Sequence, residues 1–319
     1  TKNQAVLDLW GRVMKKDFIT IHDLSQYEFY EILDLTKKMK KNPEKYRSAL
    51  KDKILAMIFQ KPSLRTRMTF EVGMLQLGGE GIYLAPSDIQ MGSRESVRDI
   101  GKNLERWVDG IMIRTFGHDI ILDLAESTRV PVINALTDLL HPCQAMADVF
   151  TLLEKKDRLA GLKLAYVGDG NNVAHSLMLA AAKAGMKIAV ATPPGYEPKQ
   201  EIISWAKEDG QGTDFELTIT HDPVEAVKDA DAIYTDVWAS MGQEAEKEAR
   251  KKIFAPYQVN GELFSKAKAE TYFMHCLPAH RGEEVTDEIM DSPNSIVYDQ
   301  AENRLHVQKV IMKILMGKK

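Results

Sequence analysis

The strongest constraint on the fold is a recurring pair, a short continuous apolar run followed by a polar segment. Such runs stand at Ile54–Phe59, Gly81–Leu84, Gly110–Ile113 and Pro131–Asn134 in the first half of the chain. They return at Leu162–Val167, Lys187–Ala191, Asp231–Thr235 and Thr271–Met274 in the second. Runs this short with no polar alternation suit strands covered on both faces, as in parallel sheets flanked by helices. At 319 residues the chain is long for one core. The pattern therefore predicts an α/β fold of two doubly wound parallel-sheet domains joined by helices, residues 1–148 and 149–299, with the active site in the cleft between them. The last segment carries Leu305, Val307, Val310, Ile311, Ile314 and Leu315 at helical spacing, so residues 300–319 are expected to pack back onto the first domain.

Polar groups cluster where these runs end. After Ile54–Phe59 comes Lys61-Pro62-Ser63-Leu64-Arg65-Thr66-Arg67, a strand end opening into a helix. Unpaired backbone N–H groups and the helix dipole favour an anion at such a junction. Ser63 and Thr66 add hydroxyls there, and Arg65 and Arg67 add guanidinium forks that match phosphate. Arg114 follows the run Gly110–Ile113, and His141-Pro142-Cys143-Gln144 opens a helix after Pro131–Asn134. Several polar strand ends on one edge of a parallel sheet make a site, where one alone would be chance. Between them, Ser87 to Glu95 reads as a mobile polar loop holding Gln90, and a helix is expected from about Ser96 to Val108. Upstream, Asn3 can cap a helix to about Met14, and Ser25 with Glu28 forms a capping-box pair.

In the second half, Gly168-Asp169-Gly170-Asn171-Asn172 is a tight turn before a helix. It is close to a dinucleotide fingerprint but lacks the third glycine, and the next run ends in Thr192-Pro193-Pro194 without a carboxylate for a ribose. A nicotinamide oxidoreductase on this fold stays as an alternative. Asp236 stands at a strand end and suits an ammonium group, ahead of a loop with Ser240, Met241 and Gly242. His275-Cys276-Leu277-Pro278 follows the last run, and two histidines with one cysteine fall short of a metal-ligand pattern. No metal is expected.

Composition narrows the function class. Hydrophobic content of 44%, charged content of 28% and a net charge of −4 describe an ordinary globular chain without a nucleic-acid footprint. Any attraction for anions must be local. Two cysteines are too few for a disulfide framework, Thr1 to Gln4 lack a signal-peptide pattern, and no 18-residue apolar run exists. A cytoplasmic protein with no membrane partner is expected.

Taken together, Ser63-Leu64-Arg65-Thr66-Arg67, Arg114, His141-Pro142-Cys143-Gln144, Asp236 with Ser240-Met241-Gly242, and His275-Cys276-Leu277-Pro278 resemble the ornithine carbamoyltransferases, in order and over essentially the whole chain. The resemblance implies that carbamoyl phosphate binds the first domain and L-ornithine the second, giving L-citrulline and phosphate without a cofactor. It implies that Ser63, Leu64, Arg65, Thr66 and Arg304 hold carbamoyl phosphate, and that Arg114, His141 and Thr66 polarise its carbonyl. Gln144 and the Leu277 carbonyl would orient the carbamoyl nitrogen, and Gln90 would reach the phosphate of a neighbouring subunit in a homotrimer or a multiple of one. Asn172, Asp236, Ser240 and Met241 would hold ornithine, with Cys276 near its side-chain amine. Many members carry threonine where this chain has Leu64, and Ser-Leu-Arg-Thr is also similar to the enzymes that use acylated ornithine. Those enzymes and putrescine carbamoyltransferases remain the alternatives within the family. Aspartate carbamoyltransferases are disfavoured by Cys276, where their pattern has proline.

Overall fold

The computed structural model describes residues 17–92, 94–239 and 244–317. The expected helix from Asn3 lies outside them, as do Ser240, Met241 and Gly242. The strands are β1 Ile54–Phe59, β2 Glu80–Leu84, β3 Gly110–Arg114, β4 Val132–Leu136, β5 Lys163–Val167, β6 Lys187–Ala191, β7 Glu216–Thr220, β8 Ala232–Thr235 and β9 Tyr272–His275. The helices of eight or more residues among the described residues are α1 Gln26–Lys41, α2 Leu64–Gln76, α3 Val97–Leu104, α4 His118–Ser127, α5 Pro142–Lys156, α6 Asn172–Ala184, α7 Gln200–Asp209, α8 Lys247–Phe254 and α9 Val297–Met316.

Two wholly parallel sheets result, ordered β2-β1-β3-β4 and β7-β6-β5-β8-β9. The central strands β1, β3, β5 and β8 are buried almost throughout, as their unbroken apolar sequences require. In the first sheet the chain leaves β1 to one side for β2 and returns to the other for β3. In the second it leaves β5 for β6 and returns past it for β8. Each reversal opens a crevice at the strand ends, and open α/β sheets bind ligands there.

The sequence expectations lack β7, α4, α7 and α8, the last falling where the polar run Gln243 to Arg250 reads as a loop, and the structure reshapes one further segment. Edge strand β7 escaped because its burial alternates, Glu216 and Thr218 facing out, so it lacks an apolar run. Helix α4 was also not foreseen, although Ile121 and Leu124 bury its inner side. The presumed loop at Ser87 to Glu95 begins as a helical turn, Pro86–Ile89, in which the Asp88 carboxylate accepts from the Ala85 N–H at 2.7 Å. Proline at the first helical position starts such a turn readily.

The Ser25–Glu28 capping box is formed, with Ser25 N–H donating to Glu28 at 2.7 Å. Helix α9 packs on α1, α2 and α5, burying Val307, Val310, Ile311 and Met312. It passes close to α2 at Gly73, where a Cβ would meet the Met312 methyl at 2.8 Å. That packing carries Arg304 from the far end of the sequence to the first sheet.

Candidate active site

A cleft of about 720 Å³ lies between the two sheets, at both crevices. From the first sheet it is lined by Lys61, Ser63, Leu64, Arg65, Thr66, Arg114, Asp138, His141 and Gln144. The second contributes Asp169, Asn171, Asn172, Asp236, Cys276 and Leu277, and Arg304 enters from α9.

Ser63 is the N-cap of α2, accepting from the Thr66 N–H at 3.3 Å, which turns the helix start toward the cleft. Leu64 follows with 73% of its surface exposed, so its side chain packs against little. Thr66 is buried and its hydroxyl accepts from Arg304 Nη2 at 3.2 Å. Arg65 is half-buried, and burial lowers its pKa somewhat. Arg114, at the end of β3, is held down to about 10 by burial and by the Arg304 charge. Three guanidinium groups thus converge on one wall, a concentration of positive charge that an anion would relieve.

His141 N-caps α5, and its backbone N–H donates to Ser176 Oγ at 2.7 Å. Burial, with Arg304 and Arg114 nearby, pushes its pKa well below the usual histidine range, so the ring is neutral near pH 7. His141 Nδ1 and Arg114 Nε are buried and have no hydrogen-bond partner among the described residues. Buried polar atoms without partners are uncommon and mark a site where a ligand's polar atoms belong.

The opposite wall is acidic. Asp236 Oδ1 accepts from the Cys276 thiol at 3.0 Å, and Oδ2 accepts from Asn171 Nδ2 at 2.8 Å. Burial and the adjacent Asp236 push the thiol well above its ordinary pKa, so it remains a protonated donor. Asn172 donates to the Thr137 carbonyl at 2.6 Å, tying this wall to the first sheet. Arg250 on α8 bonds both Asp169 and the Trp238 carbonyl, clamping the loops after β5 and β8 together.

The dinucleotide alternative fails on geometry. Asn171 Oδ1 accepts from the N–H groups of Val173 and Ala174 at 2.9 and 3.2 Å, occupying the helix start where a pyrophosphate would sit. A Cβ on Gly170 would lie 2.4 Å from Pro198 N, so this glycine admits the chain's own backbone.

The cleft gathers the residues anticipated from the sequence except three. Gln90 is exposed at φ +43° and does not line the cleft of its own chain. Ser240 and Met241 lie outside the described residues. Unanticipated are Lys61, which is buried and paired with Asp138, as well as Asp169 and Asn171. Asn171 carried a readable signal, since asparagine directly before a helix is a cap.

Residues 16–154 match the family model of the aspartate/ornithine carbamoyltransferase carbamoyl-P binding domain, and residues 160–315 that of the Asp/Orn binding domain. The chain is 56% identical over 314 residues to the ornithine carbamoyltransferase of Thermococcus kodakarensis, covering 98% of each. It is 52% identical over 303 residues to that of Bacillus subtilis, covering 95% of this chain and 94% of the relative. The solved ornithine carbamoyltransferase of Pyrococcus furiosus superposes with a TM-score of 0.92 at 52% identity, over 96% of this chain and 99% of that one. That of Thermus thermophilus gives 0.86 at 46% identity, over 95% and 100%.

Proposed function

The chain belongs to the aspartate/ornithine carbamoyltransferase family, and from this membership we infer that it transfers the carbamoyl group of carbamoyl phosphate to the side-chain amine of L-ornithine, releasing L-citrulline and phosphate. The observation that carries the reading is the polarity of the cleft. Arg65, Arg114 and Arg304 face it from one side, and Asp236 with Cys276 from the other. A dianionic donor and an amino acid bearing an ammonium group match those two walls.

In this reading the N-terminus of α2, with Ser63, Leu64, Arg65 and Thr66, takes the phosphate, and Arg304 braces Thr66 behind it. Arg114, neutral His141 and the Thr66 hydroxyl surround the carbamoyl oxygen, where negative charge grows as the carbon becomes tetrahedral. Gln144 and the Leu277 carbonyl take the NH2 group. Asp236 pairs with the α-ammonium of ornithine, Asn172 with Ser240 and Met241 completes that subsite, and Cys276 lies beside the incoming amine. The neutral amine attacks the carbonyl, the tetrahedral adduct collapses, and phosphate leaves with the C–O bond electrons and takes up the proton that the amine loses. Positioning and charge stabilisation suffice for this chemistry, because phosphate is already a good leaving group. No cofactor takes part.

Residues 1–148, with residues 300–319, form the carbamoyl phosphate domain in this reading, and 149–299 the ornithine domain. The enzyme acts as a cytoplasmic homotrimer or a multiple of one, and Gln90, exposed on its own subunit, serves the neighbouring cleft. Sedimentation of the chain at micromolar concentration tests the trimer, and a monomer that is fully active would exclude it. Among the described residues no helix is long and apolar enough to cross a membrane. A citrulline-type ureido product assay comparing ornithine, acetylornithine, putrescine and aspartate tests the activity. Ornithine is expected to be used with the highest kcat/KM, and preference for another amine would overturn the assignment.

A further inference from the structure

The reacting carbon of carbamoyl phosphate bears an oxygen, which accepts hydrogen bonds, and an NH2 group, which donates them. Arg65, Arg114 and Arg304 make the cleft rich in donors, so acceptors for the NH2 are scarce. Gln144 Oε1 is one. Shape does not decide which end of a glutamine amide faces a ligand, because its oxygen and nitrogen are nearly the same size; the neighbours decide it. Arg304 Nη1 donates to Gln144 Oε1 at 2.6 Å, and Gln144 Nε2 donates to Asp148 Oδ1 at 2.8 Å. A reversed amide would set NH2 against a guanidinium and oxygen against a carboxylate.

The same Asp148 oxygen accepts from Gln300 Nε2 at 2.7 Å. Gln300 Oε1 in turn accepts from the backbone N–H of His275 at 3.0 Å, at the end of β9 and just before Cys276 and Leu277. Asp148 thus anchors the amide that faces the carbamoyl nitrogen and the strand end that carries the Leu277 carbonyl. It is buried behind the site and does not line the cleft. A buried carboxyl is costly where an apolar side chain would fill the space, so packing alone does not account for it.

We propose that Asp148 is the positioning residue that makes this site select a carbamoyl group over an acetyl group, orienting Gln144 directly and the 275–277 segment through Gln300. The proposal rests on the carbamoyl phosphate reading above. Acetyl phosphate is the probe, since it keeps the phosphate and the carbonyl but offers a methyl where carbamoyl phosphate offers NH2. A methyl there offers no donor to the remaining lone pair of Gln144 Oε1 or to the Leu277 carbonyl, and that is what discriminates.

Dissociation constants for carbamoyl phosphate, acetyl phosphate and inorganic phosphate would be measured on the wild type, Asp148→Leu, Asp148→Ala and Asp148→Asn, alongside citrulline formation. The wild type is expected to prefer carbamoyl over acetyl phosphate by about tenfold or more. Asp148→Leu and Asp148→Ala should each lose at least about fivefold of that preference while binding inorganic phosphate within about threefold of wild type. Asp148→Asn keeps an acceptor oxygen and should restore the preference. Equal binding of the two phosphates by the wild type overturns the proposal without any variant. So does a full preference in the folded leucine or alanine variant, or a loss in Asp148→Asn as large as theirs. A wild type that forms no citrulline from ornithine sinks the carbamoyltransferase reading itself. Normal citrulline formation with unchanged preference in the variants sinks only the role of Asp148.

Discussion

Asp236 accepts from the Cys276 thiol at 3.0 Å on one oxygen and from Asn171 on the other, so the carboxylate is held rigid between the ends of β9 and β5. A negative charge fixed in this way, at the wall facing three arginines, can read an ammonium group at a set distance. Asp236→Asn keeps the shape and removes the charge. The expected outcome is a larger loss of kcat/KM for ornithine than for acetylornithine, whose acylated α-nitrogen carries no charge. An unchanged ratio of the two efficiencies would show that Asp236 does not select the substrate's α-amine.

Arg65 stands at the start of α2, half-buried and lining the cleft. Arg65→Ala should remove a charge-assisted contact of about 2–4 kcal/mol in the transition state. That corresponds to a loss of about a hundredfold or more in kcat/KM for carbamoyl phosphate. Little of the core depends on this side chain, so the melting temperature should hardly move. Activity near the wild-type level would remove Arg65 from the phosphate site.

Leu64 occupies the second position of the phosphate motif, and its side chain is largely exposed. Its contribution is the backbone N–H, which any residue but proline retains. A threonine there adds one neutral hydroxyl, worth about 0.5–1.5 kcal/mol. Leu64→Thr should therefore change the KM for carbamoyl phosphate by no more than about tenfold and leave the preference for ornithine over acetylornithine intact. Comparing both amines in wild type and variant checks this; a switch in preferred amine would make position 64 part of amine selection.

Burial pushes the Asp148 carboxyl up to about 7, against the amide donors and Arg304 that pull it down. Its ordinary value is 3.8, so the folded state binds the proton more tightly than the unfolded chain. The stability contribution is therefore fully present below pH 3.8 and declines as pH rises toward 7. Over that window the decline is on the order of 4 kcal/mol, at about 1.36 kcal/mol per pH unit. Asp148→Asn removes the titration, so its stability relative to wild type should improve between pH 5 and pH 8. Urea midpoints at the two values measure the difference, and parallel shifts in both proteins would refute it.

Much of this protein was legible without coordinates, for reasons local to the chain. Ile54–Phe59 and Leu162–Val167 are continuous apolar runs, and only strands buried on both faces suit them. Ser25 is read as a cap because the interaction with Glu28 spans three residues. Edge strand β7 was missed because a half-exposed strand borrows its identity from its neighbour β6. Asn171 and Asp169 were seen only as turn residues, since their partners Asp236 and Arg250 lie 65 and 81 positions away.

The amino-acid sequence by itself determined the buried strands, their alternation with helices, and the polar residues that end them. Those follow from short-range hydrogen bonding and from the periodicity of apolar side chains. The tertiary structure alone decided how these strand ends meet. It set Arg304 against Gln144, a pair 160 positions apart, by folding α9 back over Gly73. It also made His141 neutral by burying it among arginines, and it gave Asp148 an unusual proton affinity by burying it away from water. The physical reason is that desolvation and long-range pairing depend on what surrounds a group in space, and a residue's neighbours in the chain do not specify that.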